Sequence, residues 1–505
     1  MYLTQGLHRA VQRHPQEIAL VHLDDQGERR WTFAQLFDEV GRQAAALQVR
    51  GVRAGDRVAL LSGNSDALIM AILACWWLGA VACPLNIRWN KSELAYALND
   101  SDAVLFLHHA DFSFTPELTP EHTPHLSFAD LAHEAQGLTP LPDTRIGGEH
   151  LAALLYTGGT TGRSKGVMLS HANFWSASMT RGAELNNAPD SVSLLVAPLF
   201  HVAGLGRMVG QLIVGGRWVT MAQFRTPAVL DAIARLHIHD IIVVPSMLQS
   251  LLDDPGFDAA QLQSLNRIAF GAAPMPPDLL DRALAAWPQA EFFQAYGLTE
   301  TAGAVCINLP VNHLPQARSQ GLLTSVGRAG LGAEIKIVDE QHQEVPRGEV
   351  GEIVVRGPMV MQGYWKQPEV TASAFRDGWF CTGDAGRMRE DGHLFIVDRL
   401  KDMIISGGEN VYCSEVETVL RSHPQVAQAA IVGVPSVKWG EAVHAFVVLQ
   451  PGNPAGDALS TELKDFCQQS LAGYKCPRSF SFVAELPLSA AGKILKNVLR
   501  EQVRA

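Results

Sequence analysis

The chain has 505 residues, with 40 Lys or Arg against 51 Asp or Glu, a formal charge of −11. Hydrophobic residues make up 47% and charged residues 18%, the balance of a globular protein, which excludes a largely disordered chain. The acidic balance disfavours a nucleic-acid binder, whose face must be basic to meet phosphate, yet leaves room for a small basic pocket around one anionic ligand.

At roughly 150 residues per domain the length suggests about three core-sized units. The seven cysteines are widely spaced and form no CxxC pair. Neither a disulfide framework nor a structural zinc site is expected. Residues 1–16 lack the basic-then-apolar pattern of a secretory signal. Together these point to a reducing, cytoplasmic compartment.

In chain order, the pattern predicts a helix over 5–14, a strand over 18–22, a helix over 32–49 and a strand over 57–61. The stretch 67–85 carries no charge and approaches the roughly 20 apolar residues of a membrane span. Gly79 interrupts it and Pro84 closes it, so a buried helix over 67–78 and a buried strand over 80–84 are expected instead. The Pro-rich stretch 112–143 reads as surface loop. Short apolar runs at 191–197, 218–221, 241–244 and 267–270 follow helix-like sequence and predict α/β layers with largely parallel sheets.

From about Thr324 the texture becomes β-rich, with runs at 334–338, 351–355 and 393–397. After Lys401, Ser414 reads as a helix N-cap, with Glu417 completing a capping box. Strands at 426–432 and 442–449 and a helix over 460–471 follow. The expected fold class is α/β. A large N-terminal domain, 1–399, combines layered α/β subdomains with a β-rich one. A small α+β C-terminal domain, 400–505, follows a polar boundary that suits a hinge.

The strongest local signal spans Thr157 to Lys165. It holds Gly158, Gly159 and Gly162, three threonines at 157, 160 and 161, Ser164 and the lysine. Glycines let backbone N–H groups turn toward one anion. Thr hydroxyls add donors and Lys165 adds charge, so the segment reads as a phosphate cradle. It is not a Walker loop, which ends in Gly-Lys-Ser/Thr. There is also no GxGxxG or HExxH.

Tyr156-Thr-Gly-Gly-Thr-Thr-Gly-Arg-Ser-Lys-Gly166 resembles the signature loop of the acyl-adenylate-forming (ANL) superfamily. That superfamily includes acyl- and aryl-CoA synthetases, peptide-synthetase adenylation domains and luciferases. The resemblance continues in order through Gln294-Ala-Tyr-Gly-Leu-Thr-Glu300 and Gly378-Trp-Phe-Cys-Thr-Gly-Asp384. It extends through Asp398-Arg-Leu-Lys-Asp402 with Ser406-Gly-Gly-Glu-Asn-Val-Tyr412, and ends at Leu488-Ser-Ala-Ala-Gly-Lys493. Two departures stand in the loop: Gly158 replaces the family's Ser, and Ser164 replaces the Pro before the lysine. Backbone donors survive both.

The resemblance implies a reaction in two steps. A carboxylate and ATP give an acyl adenylate and pyrophosphate, then a thiol takes the acyl group and releases AMP. The cofactors implied are ATP, Mg²⁺ and CoA. Thr157, Gly158, Gly159, Thr160, Thr161, Gly162 and Lys165 would hold the β- and γ-phosphates. Glu300 would ligate Mg²⁺, helped by Thr299 or Thr161. Asp384 would accept both ribose hydroxyls, with Arg399 supporting the ribose or phosphate side. Tyr296 would stack on adenine, and Gly271, Ala272 and Ala273 would allow its close approach. Lys493 would neutralise charge at the α-phosphate in the first step alone.

For the thiol, Arg88, Trp439, Lys475 and Arg478 would contact CoA, with Gly407 and Gly408 lining the pantetheine channel. Lys475 and Arg478 equally suit a solvated surface. Both the lysine motif and the CoA surface fall in the small domain, so that domain would be mobile, turning about Lys401. His201 would sit beside the acyl pocket and gate or orient the thiol, although its residue type fits a packed core histidine as well. The pocket would comprise His201, Val202, Ala203, Gly204, Ala295, Ala302 and Gly303, with no Arg or Lys among them.

A second carboxylate or an ammonium on the substrate would then be buried without a partner. The acid expected is a medium or long fatty acid first, an aryl or arylpropenoic acid second. A stand-alone loader of a carrier protein is the alternative enzyme. A ligand-binding homologue without activity is the alternative of another class. The expected partners are a small carboxylic acid and CoA, with no nucleic acid and no transmembrane segment. The oligomeric state is open, a homodimer included.

Overall fold

The computed structural model describes residues 1–112, 123–157, 164–185, 190–271, 275–488 and 494–504. They form two compact units, Met1–Glu334 with Val355–Phe380, and Ile335–Val354 with Cys381–Ala505.

In the first unit, a seven-stranded sheet runs in the order Gly363–Tyr364, Lys165–Ser170, Leu151–Thr157, Val81–Pro84, Arg57–Leu61, Ala103–His108, His125–Ser127. Its pairings are parallel except the two at the Gly363 edge. A nine-stranded sheet has a parallel centre running from Ile18–Asp24 through Arg217–Met221, Val192–Leu195, Asp240–Val243 and Arg267–Gly271 to Glu291–Leu298. Antiparallel strands close both its edges. This is the α/β class expected.

The uncharged stretch near the N-terminus forms helix Asp66–Leu78 and strand Val81–Pro84. Ser65 caps the helix, accepting from the Leu68 N–H at 3.1 Å, and Gly79 ends it at φ 80°. Every residue of the helix except Ala67 is buried. Asp66, buried at its start, is met by two Arg29 bonds of 2.9 Å and by Trp31 Nε1 at 3.0 Å. No described helix is long and apolar enough to cross a membrane.

Residues 112–143 are not all loop. They contain strand His125–Ser127 and helix Phe128–Ala135, capped by Ser127 and burying Phe128, Leu131 and Ala135. One buried face over eight residues, between Pro124 and Pro140, gives too short a period to stand out. The polar strand Gly27–Thr32 shows no apolar alternation either. It is an edge strand, held by backbone pairing with Ile18–Asp24.

In the second unit, Gly440–Leu449 is the central strand of a small sheet, with the edge strand Val426–Ser436 on one side and Ile404–Ser406, Glu409–Val411 and Ser479–Phe482 on the other. Alternate residues face two cores. Ala429 and Ile431 pack with Val416, Leu420 and Leu463, whereas Ala430 and Val432 pack with Phe446, Leu486 and Leu499. Helix Cys413–Arg421 covers one face, and Leu499 of helix Lys496–Arg504 covers the other.

The capping box at Ser414 and Glu417 is corrected. Tyr412 is the N-cap, and Ser414 lies inside the first turn. The Ser414 N–H donates to Asp398 Oδ2 at 3.1 Å, and its hydroxyl donates to Val397 O. Glu417 accepts the Ile431 N–H at 2.9 Å and pairs with Lys496. Long-range partners thus take both side chains. The helix start is served by an aspartate from strand Leu394–Arg399, where negative charge is favourable. Leu394–Arg399 belongs to the second unit.

Candidate active site

Thr157 stands opposite Lys165 on paired strands, so the two ends of the Gly/Thr segment are fixed against each other. Gly158, Gly159, Thr160, Thr161 and Gly162 lie outside the described residues, as do Ala272, Ala273 and Lys493.

The edge strand Gly363–Tyr364 pairs with Lys165–Ser170 and sets Tyr364 opposite Val167. The Lys165 ammonium lies 4.8 Å from the centre of the Tyr364 ring, a cation–π distance. The Tyr364 hydroxyl donates to Glu300 Oε1 at 3.0 Å. Burial, then the Glu300 charge, push this phenol above its ordinary range, so it remains a donor at neutral pH. Lys165 and Glu300 are therefore brought together by a residue the motifs do not include.

The turn that displays Glu300 is tightly held. Strand Glu291–Leu298 ends in a helical turn, Thr299–Thr301. Thr301 Oγ1 accepts the Leu298 N–H at 2.9 Å and lies 2.7 Å from Gly303 O. The Met361 N–H donates to Glu300 O at 2.8 Å. Ala302 takes φ 52°, a left-handed conformation that costs a residue with a Cβ. Gly297 has no room for a side chain, since a Cβ there would meet Gly303 O at 1.7 Å.

His201 is neither a buried core residue nor remote from the turn. It is half-buried and N-caps helix Val202–Val214, its Nδ1 accepting the Ala203 N–H at 3.3 Å. Val202 and Gly204 are buried and Ala203 is partly so. One turn into the helix, a Cβ on Gly206 would lie 3.6 Å from Ala302 O, which sets the helix beside the Ala302–Gly303 end of the turn. Ala295 stands opposite Gly271 on the neighbouring strand, and the half-buried Tyr296 stands opposite Cys306.

This helix also carries a charge just beyond the expected pocket. Arg207 is 4% exposed and pairs with Asp240, while its Nε donates to Ser193 at 3.0 Å. Arg181 donates to Gly206 O at 3.0 Å. Burial, then the Arg207 charge, bring its guanidinium down to about 9.

In the second unit, Asp384 is buried opposite Arg399 on the next strand, with Oδ1 2.7 Å from Arg399 Nε. Gly383 turns the backbone at φ 71°, and its N–H donates to Glu352 Oε1 at 3.0 Å. Lys401 sits in the short turn Leu400–Asp402. Asp402 is held from beyond the turn by Arg500 at 2.7 Å and by the Cys413 thiol, which donates to Asp402 O at 3.0 Å.

Gly407 and Gly408 adopt φ 64° and 85°. A Cβ on Gly407 would lie 2.9 Å from the Trp439 ring, and the Arg478 guanidinium lies 4.9 Å from the centre of that ring. Trp439, Gly407 and Arg478 therefore form one cluster. Lys475 pairs with Glu415 at 2.7 Å, apart from that ring contact. Arg88 is exposed in the first unit.

The AMP-binding enzyme family matches residues 7–365, and the AMP-binding enzyme C-terminal domain matches 415–493. A feruloyl-CoA synthase of Amycolatopsis sp is 39% identical over 98% of this chain and 97% of its own. The fatty acid–[acyl-carrier-protein] ligase ScoC of Streptomyces coeruleorubidus is 36% identical over 94% and 92%. The solved structure of an O-succinylbenzoate coenzyme A synthetase from Bacillus subtilis with ATP and magnesium ion superposes with a TM-score of 0.85. It shares 32% identity over 99% of each chain. The chain belongs to the AMP-binding enzyme family. It is an AMP-forming acid–thiol ligase that uses ATP, Mg²⁺ and CoA.

Proposed function

We propose that the chain joins a hydrophobic monocarboxylic acid to CoA through an acyl adenylate. The reading rests on one observation, the convergence of Lys165, Tyr364 and Glu300. A half-exposed carboxylate oriented by a neutral donor, with the Thr299 hydroxyl adjacent in sequence, is a hard oxygen set that fits Mg²⁺. Bound there, the ion would supply charge to offset the phosphates.

Lys165 and the donors of 157–162 would hold the β- and γ-phosphates. Asp384 would accept from the ribose hydroxyls, braced by Arg399, and Tyr296 would stack on adenine. Lys493 would offset charge at the α-phosphate. The domain from about residue 400 would turn about Lys401 and present the cluster of Gly407, Trp439 and Arg478 to CoA. The seven cysteines, all free thiols, support a reducing compartment such as the cytoplasm.

For the acid, the sequence puts a fatty chain first. The relative at 39% identity moves first place to an arylpropenoic acid of the ferulate kind. A carrier-protein thiol in place of CoA is the second reading, favoured by the ScoC relative.

Pyrophosphate and AMP release should be measured with ferulate, dodecanoate, 2-succinylbenzoate, malonate and acetate. Each acid is run with CoA, with a carrier protein and with neither. The highest kcat/KM is expected for ferulate with CoA. A peak at acetate or malonate, or turnover that needs the carrier protein and ignores CoA, would overturn the reading.

A further inference from the structure

The segment that carries Lys493 has anchors on both sides. Leu488 and Ile494 form an antiparallel bridge, and the Leu495 N–H donates to Pro487 O at 2.8 Å. The chain then enters helix Lys496–Arg504. Lys496 Nζ lies 2.7 Å from Glu417 Oε1, and the two side chains are only 14% and 11% exposed. Glu417 is itself fixed, because the same oxygen accepts the Ile431 N–H of strand Val426–Ser436. Cys413 and Asp398 also face the Lys496 ammonium. Desolvation works against its charge, yet Glu417 and these neighbours hold it above the ordinary lysine range.

A buried ion pair is a poor source of stability, since desolvation offsets its attraction. Fixed geometry is what it supplies best. The terminal helix has nine residues and buries Leu499 at 1% exposure. Leu499 and Val503 anchor the helix to one core from its fourth residue on, which leaves the rotation of its first turn unset. The Lys496–Glu417 pair sets it at the end nearest Lys493, and Arg500–Asp402 sets it one turn further on.

We propose that Lys496 and Glu417 are positioning residues for Lys493, fixing the chain three residues beyond it so that its ammonium reaches the reacting phosphate. The proposal rests on the reading of Lys493 as the lysine of the adenylation step. Misplacing a catalytic group by about 1 Å costs on the order of 10²-fold, so the effect belongs to the first half-reaction alone.

The test measures both half-reactions. One is acid-dependent ATP–pyrophosphate exchange, and the other is thioester formation from synthetic acyl-AMP and CoA. Lys496→Met should lower kcat of exchange by about 10- to 100-fold. It should change the KM for ATP by less than about threefold and leave the thioester step within about twofold. Lys496→Arg, which keeps the charge, should restore exchange to within about threefold of wild type. Glu417→Asp, which keeps the charge but shortens the reach, should lower exchange selectively with an unchanged Tm.

Equal loss in both half-reactions would make the pair merely structural and overturn the proposal. So would normal exchange in Lys496→Met. Lys493→Ala serves as the reference. If it leaves exchange intact, the reading of Lys493 fails. If it abolishes exchange while Lys496→Met does not lower it, only the positioning role fails.

Discussion

Two acidic side chains, Glu300 in the first unit and Asp384 in the second, follow Thr and Gly in short motifs, yet the fold treats them oppositely. Glu300 is half-exposed and oriented by a phenol that carries no charge. Asp384 is 3% exposed and lies 2.7 Å from a guanidinium on the next strand. A neutral donor fixes a carboxylate in direction while leaving its charge to attract a cation. A guanidinium balances the charge and leaves acceptor capacity for hydroxyl groups. The contrast supports the proposed division of labour, Glu300 for a metal ion and Asp384 for a diol.

Isosteric amides give the sharpest break of that comparison, and the largest effect. Glu300→Gln keeps an oxygen that accepts from Tyr364 and removes only the charge. Exchange should fall about 10²- to 10³-fold, with Tm unchanged. Asp384→Asn should raise the KM for ATP and also lower stability by about 1 kcal/mol, a modest figure because Arg399 is partly exposed. Half-reaction kinetics and thermal unfolding check both. A Tm loss in Glu300→Gln equal to that in Asp384→Asn would dissolve the distinction.

Local chemistry made much of this legible in the sequence. The run Arg57–Leu61 and the helix ended by Gly79 each depend on neighbours a few residues away. Contacts formed across long spans were not legible. Tyr364 meets Glu300 over a separation of 64 residues. The only local hint was an aromatic pair, Tyr364 and Trp365, inside a polar stretch. Ser414 and Glu417 have the spacing of a capping box, but spacing does not reveal that Asp398 and Lys496 compete for the same groups. Arg207 sits three residues past the segment read as pocket, and only the fold shows that helix Val202–Val214 turns it inward onto Asp240.

Tyr364→Phe sharpens the comparison from the donor's side, with an intermediate effect. The ring remains beneath Lys165, so the cation–π contact survives. Only the bond to Glu300 is lost. A hydrogen bond to a charged group contributes about 1.5 kcal/mol, equal to roughly a tenfold rate change. Exchange should therefore fall about tenfold, and the Mg²⁺ concentration for half-maximal rate should rise. A Mg²⁺ titration of the variant checks this. An unchanged curve would show that Glu300 needs no orienting donor.

The smallest effect concerns the turn itself. Ala302 holds a left-handed backbone at φ 52°, with Gly303 next at φ 111°. The left-handed conformation costs a non-glycine residue about 1–2 kcal/mol, and glycine relieves it while adding roughly 0.5–1 kcal/mol of unfolded-state entropy. Ala302→Gly should thus stabilise the first unit by at most about 1.5 kcal/mol. The same change frees the backbone two residues from Glu300, held otherwise by Thr301 and Met361. Exchange should fall by about threefold or less. A variant more stable and slightly slower would show that the strain at Ala302 is retained to aim Glu300. A variant less stable would show that the Ala302 methyl, buried at 3% exposure, contributes more by packing than the backbone loses by strain.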